Sequence, residues 1–367
     1  VNHSQAFSPD YATARRRFRE AVTRLGWELE AFPIGGVGPN GEELAFDVAC
    51  SPGGDFANSL VVSGGLHGVE GFFGSAVQLA LLDGWANGSK PLPRLNCVLL
   101  HGLNPHGFAW LRRFDENNVD PNRNFLLPGE LYSGSPAKYP QFNSFLNPER
   151  PPSAWEPFTL KALWMIARHG MSAVKQAVAA GQYDFPKGVF YGGAGPSRTN
   201  QLLDEHLPRW LKGSREVVHL DFHTGLGRFA ECKLLIDYPL TDRQRTRLMD
   251  WYGTGSYEDC GPSGISYDAR GGFGHWCVSR RFADDYLFAC AEFGTYGPIP
   301  MFAGVRAENQ AHHWGKPNAA GTIRAKKRLR ELFSPSSDEW RSRVLKHGIE
   351  LVDRAVAGLT NDAAKPV

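Results

Sequence analysis

Three short segments of this 367-residue chain carry residue types able to hold a cation and move protons. The first is Gly64-Gly65-Leu66-His67-Gly68-Val69-Glu70-Gly71. The second is His219-Leu220-Asp221-Phe222-His223-Thr224-Gly225, and the third Ala291-Glu292-Phe293-Gly294-Thr295. His67 and Glu70 stand close enough in sequence to share a strand end and a helix start. With His223 from a distant strand they make a two-histidine, one-glutamate donor set, which on zinc leaves a fourth position open for water. A bound ion of this kind brings the pKa of water toward ~7 and polarises a carbonyl. Such chemistry also wants a carboxylate to carry protons, and Glu292 is the candidate. Singly, each residue has an ordinary alternative. H-x-x-E occurs by chance, a histidine at a strand end is more often a satisfied polar group, and Glu292 is equally suited to pairing with an arginine.

Positioning these segments requires strands that end together. Buried apolar runs predict strands over 42–49, 59–63, 95–101, 215–222, 233–238 and 285–293. Helical spacing marks 9–26, 71–84, 156–180, 241–252, 320–333 and 337–358. Strands alternating with helices predict an α/β fold: a single three-layer α/β/α domain over 1–367 with a mixed, mostly parallel central sheet. Ligands in such sheets bind outside the carboxyl ends of the strands, so three polar strand ends imply one shared site. The stretch 105–155 reads as a long loop rich in Asn, Pro and Arg, a length that in compact domains usually serves function.

Lys and Arg total 40 against 38 Asp and Glu, a net charge of +2 that gives no electrostatic reason to expect nucleic acid or an anionic membrane as partner. No apolar run approaches the ~18 residues of a membrane helix. Arg15 to Arg17 are followed by Phe18-Arg19-Glu20 rather than an apolar stretch, so no signal peptide is read. The six cysteines, Cys50, Cys97, Cys232, Cys260, Cys277 and Cys290, form no C-x-x-C pair and read as reduced, mostly buried thiols of a cytoplasmic protein. The 41 Gly and 25 Pro point to many sharp loops on a regular scaffold.

The long loop is the most specific signal. It runs Asn104-Pro105-His106-Gly107, then Arg112-Arg113-Phe114-Asp115-Glu116-Asn117-Asn118-Val119-Asp120-Pro121-Asn122-Arg123-Asn124-Phe125. With the preceding G-G-x-H-G-x-E it resembles the zinc carboxypeptidase superfamily, which includes carboxypeptidase A-like peptidases and the succinylglutamate desuccinylase and aspartoacylase group. H-x-x-E, Arg, V-D-x-N-R-N-F, the strand-borne His and the late Glu keep the family's order over about residues 60–296. The stretches Asn104–Trp110 and Gly181–Gly193 resemble an uncharacterised bacterial branch of those peptidases.

The resemblance implies roles. His67, Glu70 and His223 ligate one zinc ion, and Asp120 orients the first histidine. Glu292 is the base that takes a proton from water and delivers it to the leaving nitrogen. Arg113 stabilises the oxyanion, with Arg112 next door as the alternative. Asn122 and Arg123 hold the substrate's free carboxylate, for which a planar guanidinium is suited. Pro121 and Asp115 depart from the family pattern, the latter standing where an Asn is common. Tyr257 and Tyr267 are candidates for the mobile tyrosine of carboxypeptidases, without a motif to carry either.

Weaker features remain. Gly192–Arg198 reads as a structural turn before an anion loop, and His312-His313 as incidental before a second metal site. His101 and His106 are substrate-contact candidates, and Phe273, His275 and Trp276 a candidate rim. The expected substrate is a small molecule or peptide with a free carboxylate near the scissile amide. The helical C-terminus, with no β-rich extension, favours a peptidase over an N-acyl amino acid deacylase. A zinc esterase and a non-catalytic binding module stay open, as does a homo-oligomer.

Overall fold

The computed structural model describes residues 3–53, 55–153, 155–170, 174, 180–259 and 269–363. Eight strands form one sheet: β1 (Glu28–Val37), β2 (Glu43–Cys50), β3 (Asp55–Gly64), β4 (Leu95–His101), β5 (Glu216–Gly225), β6 (Cys232–Leu235), β7 (Tyr257–Glu258) and β8 (Asp285–Gly294), in the spatial order β1-β2-β4-β3-β5-β8-β6-β7. The central run β4-β3-β5-β8 is parallel throughout, while β1, β2 and β6 join antiparallel neighbours, so the sheet is mixed and mostly parallel as expected.

Strand alternation divides the two faces. On β5, Phe222 meets Phe73 while His219 meets Phe273; on β8, Phe293 meets Phe73 while Phe288 meets Phe273. Each pair is an odd number of residues apart, which puts its members on opposite faces. The first face is covered by α1 (Tyr11–Arg24), α2 (Gly71–Ala86) and, later in the chain, Asp338–Ala363. Short α3 (Pro105–Ala109), α4 (Tyr139–Leu146) and α5 (Phe158–His169) follow β4. Next come α6 (Arg198–Trp210), α7 (Asp242–Tyr252), α8 (Phe273–Ser279), α9 (Pro298–Trp314), α10 (Ala320–Phe333) and α11, the Asp338–Ala363 helix. With α8 packed on β8 from the second face, the architecture is three-layered α/β/α. Among the described residues no helix is long and apolar enough to cross a membrane.

Several elements differ from the sequence reading. The stretch 105–155 is not structureless: it holds α3, a 3-10 turn at Pro121–Arg123, and α4. Strand β1 was not expected; its Pro33 is tolerated because β1 is the sheet's edge. Helices α6, α8 and α9 were also not expected, and α5 ends at His169 ahead of Gly170, whose φ of 82° suits a glycine. Cys260 and Tyr267 lie outside the described residues.

Candidate metal centre and catalytic cavity

The parallel register sets the site. β3, β5 and β8 are adjacent, with Gly64 beside Phe222 and His223 beside Glu292, so their carboxyl ends finish at one level. After β3 the chain turns at Gly65, where φ is 77°, and runs into a 3-10 turn at Gly68–Glu70. Gly68 lies so close to the backbone of Gly107 that a Cβ would come within 2.1 Å of its carbonyl carbon. This tight docking fixes His67 and Glu70 against the loop that carries Arg113 and Asp120.

His67, Glu70 and His223 converge. His67 Nδ1 lies 2.9 Å from Glu70 Oε1 and 3.2 Å from His223 Nδ1, and His223 Nδ1 lies 3.0 Å from Glu70 Oε2. All three side chains are buried. The outward-facing nitrogens meet carboxylates: His67 Nε2 lies 3.1 Å from Asp120 Oδ1, and His223 Nε2 2.5 Å from Asp221 Oδ2. Carboxylates behind two histidines fix each ring's tautomer and leave the Nδ1 lone pairs facing one another and Glu70. That donor set fits a divalent cation. Arg113 Nη2 also lies 2.6 Å from His67 Nε2. This nitrogen cannot both donate to Asp120 and accept from Arg113, and a cation at Nδ1 selects the first.

The electrostatics are those of carboxylates, histidines and an arginine packed together in a buried site. Burial works against the Glu70 carboxylate, but His67 and His223 outweigh it and hold the group well below the usual carboxylate range. Burial, joined by the charge of Glu70, pushes Glu292 up to about 7. Burial alone would depress His223, yet Asp221 and Glu70 raise it well above the usual histidine value. Asp120, despite burial, is held low by Arg113 and His67. Glu292 Oε1 accepts a hydrogen bond from the backbone N–H of Leu226 at 2.7 Å, which aims the carboxylate from β8 into the cavity.

A cavity of about 710 Å³ opens over this centre, lined among others by His67, Glu70, Arg113, Asn122, Arg123, His223 and Glu292. Arg113 Nε donates to Asp120 Oδ2 at 3.0 Å, and its Nη1 to Glu70 Oε1 at 3.3 Å. Asp120 Oδ1 accepts from Asn122 N at 3.0 Å, and Asn122 Oδ1 accepts from Phe273 N at 3.0 Å, which ties the Pro121–Arg123 turn to α8. Arg123 is 8% exposed, with its carbonyl accepting from the Tyr183 hydroxyl.

Arg112 is a correction. It does not line the cavity. It is fully buried on the other side of the loop, where Nε donates to Glu308 Oε1 at 3.0 Å and Nη2 to Asn118 Oδ1 at 2.8 Å. Successive residues here point apart, and the pairing with Glu308 consumes the charge. His101 is likewise in the core, stacked on Phe18 and bonded to Ser75. His106, His312 and His313 do not line the cavity, and Tyr257 sits on edge strand β7. Of the candidate rim only His275 faces the cavity, since Phe273 and Trp276 are core residues. The Gly192–Arg198 stretch is a turn held by Asn124, whose amide donates to the carbonyls of Gly192 and Gly195.

Two groups were missed. Asp221 backs His223 and is anchored by Ser63 at 2.6 Å; its position two residues before His223 on one strand face was the available signal. Asp237 lines the cavity with a buried, unpartnered Oδ1, and nothing in its sequence context marked it.

Asp115 shapes the loop rather than the cavity. Its Oδ1 accepts from the backbone N–H of Asn117 and Val119 at 2.9 and 2.7 Å. Burial, with Glu116 adding to it, pushes its carboxyl up to about 7. A raised carboxyl is easier to keep protonated in the fold than in the unfolded chain. Its contribution therefore falls as pH rises from about 4 to about 7 and is flat above that. Asp115→Asn keeps the acceptor and removes the charge. The variant is expected to match the parent in urea unfolding near pH 4 and to exceed it by about 4 kcal/mol at pH 8. A pH-independent difference would show that Asp115 does not titrate this way.

Comparisons with known proteins agree with this architecture. Bovine thrombin-activatable fibrinolysis inhibitor, solved with a tick carboxypeptidase inhibitor, superposes with a TM-score of 0.52 at 11% identity over 99% of this chain and 100% of that one. Carboxypeptidase A from Helicoverpa armigera gives 0.45 at 12% identity, over 88% of this chain and 73% of that one. A succinylglutamate desuccinylase/aspartoacylase from Rhodobacter sphaeroides gives 0.37 at 16% identity, over 88% and 64%. The first of these superpositions shows a carboxypeptidase-like fold. Within it, the chain belongs to the family described as "Protein of unknown function (DUF2817)", whose model matches residues 7–347. No curated protein matches the chain.

Proposed function

We propose that this protein is a zinc-dependent hydrolase that cleaves an amide bond in a peptide or peptide-like substrate bearing a free carboxylate. The observation that carries this reading is the convergence of His67, Glu70 and His223 in the same cavity as Glu292, Arg113, Asn122 and Arg123. A bound zinc ion would supply Lewis acidity toward the carbonyl and a more acidic water. His67, Glu70 and His223 would hold it, with Asp120 and Asp221 fixing the rings. Glu292 takes a proton from the attacking water and returns it to the leaving nitrogen. Water thereby adds across the C–N bond to give a carboxylic acid and an amine. Arg113 offers N–H donors to the negative charge that develops on the carbonyl oxygen. Arg123 and Asn122 orient the substrate by its carboxylate.

The test is a mass-spectrometric screen of zinc-loaded protein against short peptides with free or amidated C-termini and against N-acyl amino acids. Cleavage confined to free-carboxylate compounds is expected. Turnover of amidated peptides at equal rate would remove the assigned carboxylate anchor. Arg123→Met is expected to lower kcat/KM by roughly 10- to 100-fold, mostly through KM, since a charge-assisted hydrogen bond in a buried site contributes ~1.5–3 kcal/mol. An unchanged KM would place the carboxylate elsewhere.

A further inference from the structure

The cavity has two chemically distinct ends. One holds Asn122, Arg123, Asp237 and His275, and is walled by Ile236 and Phe288 of the main core. The other is walled by Phe190, Met301, Phe302 and Val305, which belong to a separate apolar cluster with Val69, the neighbour of Glu70. The metal-ligating residues stand between the two clusters.

Aromatic rings run outward along the second end. The Arg113 guanidinium sits 5.6 Å from the centroid of Phe190. Phe190 stacks on Phe302 at 6.4 Å, Phe302 meets Phe158 at 5.9 Å, and Phe158 stacks on Phe145 at 5.6 Å. All four rings line the cavity, as does Ile166 of α5. Arg306 fixes the far pair: its guanidinium lies 5.5 Å from the Phe145 ring and 5.4 Å from the Phe158 ring, and it pairs with Glu156 at 2.8 Å. The lining of this arm is apolar from Phe190 to Phe145, and it begins at the arginine placed to meet the carbonyl oxygen.

We infer that this arm binds a large apolar group on the acyl side of the scissile amide, so that the substrate joins an apolar acyl part to a carboxylate-bearing amine part. The inference rests on the hydrolase reading for which end is which. With the carboxylate held at Arg123 and the carbonyl oxygen at Arg113, the acyl portion extends beyond Arg113, along Phe190, Phe302 and Phe158. An apolar group there leaves water for a preformed apolar wall, a gain that grows with the area buried. A polar acyl part would lose its hydration without gaining partners. The chemistry is shared by two sources, a hydrophobic residue before the scissile peptide bond and a fatty or aryl acyl chain.

The probes are N-decanoylglycine, phenylalanylglycine, N-acetylglycine and glycylglycine. Each is titrated calorimetrically into the full chain and, separately, assayed for glycine release by the zinc-loaded protein. The expected result is binding of one large apolar probe about tenfold or more tighter than its small counterpart. Decanoyl preference would identify an acyl chain and phenylalanyl preference a peptide. Ile166→Trp, which fills the arm from α5, is expected to abolish the preference while leaving the affinity for N-acetylglycine within about twofold. Phe302→Leu, a milder change, should reduce the preference without abolishing it, which guards against a misfolded first variant. Equal binding of large and small probes would overturn the arm. If size selectivity in binding is present but no probe of any size is turned over, the arm stands as an apolar binding site, while the hydrolase reading fails and the acyl-side assignment fails with it. Turnover without size dependence leaves the hydrolase reading and removes the arm.

Discussion

Glu292→Gln is expected to lower kcat by roughly 10²- to 10⁴-fold, with little change in KM and no loss of metal uptake. The reason lies in what the substitution spares. Glu292 Oε1 accepts from Leu226 N–H, and a glutamine oxygen can keep that bond and the same shape. What disappears is the ability to take and return a proton, for which positioned side chains typically contribute 10²- to 10⁴-fold. Glu292 is also not part of the His67–Glu70–His223 set, so the donors for the ion remain. Steady-state kinetics on the best substrate of the screen, with metal content measured on the same preparation, checks both halves. A variant that keeps its rate would remove Glu292 from the proton path. One that loses the metal would make it a ligand, a role its neighbourhood with His223 and Cys290 makes geometrically available.

The sequence made the site more legible than the cavity around it. His67, Glu70, His223 and Glu292 were readable because each stands at, or within a short turn after, the end of a strand whose apolar run is unmistakable, and parallel neighbours must finish at one level. Asp120, Arg113, Asn122 and Arg123 were readable from the motif that carries them. Arg112 was not separable from Arg113, because adjacent residues in a loop diverge according to backbone angles that no local pattern encodes. Here Glu308, almost 200 positions later, decides the matter by pairing with Arg112. The apolar arm was invisible for the same reason. Phe145, Phe158, Phe190 and Phe302 come from four separate segments, and only tertiary packing stacks them. Helix α9 was unexpected because it carries Arg306, Glu308, Asn309 and Gln310 on faces that the fold buries through ion pairs and hydrogen bonds, which hides an apolar stripe.

Adding zinc to the metal-free chain is expected to raise its unfolding free energy by about 4 kcal/mol when the ion is at a thousand times its dissociation constant. The fold without the ion already gathers Glu70, Asp120 and Asp221 around two histidines with Arg113 as the nearby fixed cation. A dication bound there relieves carboxylate repulsion and replaces the proton that His223 otherwise holds. The effect should divide the site residues into three groups by thermal unfolding with and without the ion. Glu70→Gln and His223→Gln should abolish the shift, because each removes a donor atom. Asp120→Asn should retain it with an affinity roughly 10- to 100-fold weaker, since the ring of His67 stays present but loses the carboxylate that fixes its tautomer. Glu292→Gln should keep the full shift, matching its expected role in proton transfer alone. If Asp120→Asn abolished the shift as fully as Glu70→Gln, Asp120 would have to be counted as a direct ligand, and the Nδ1-facing arrangement of His67 would be wrong.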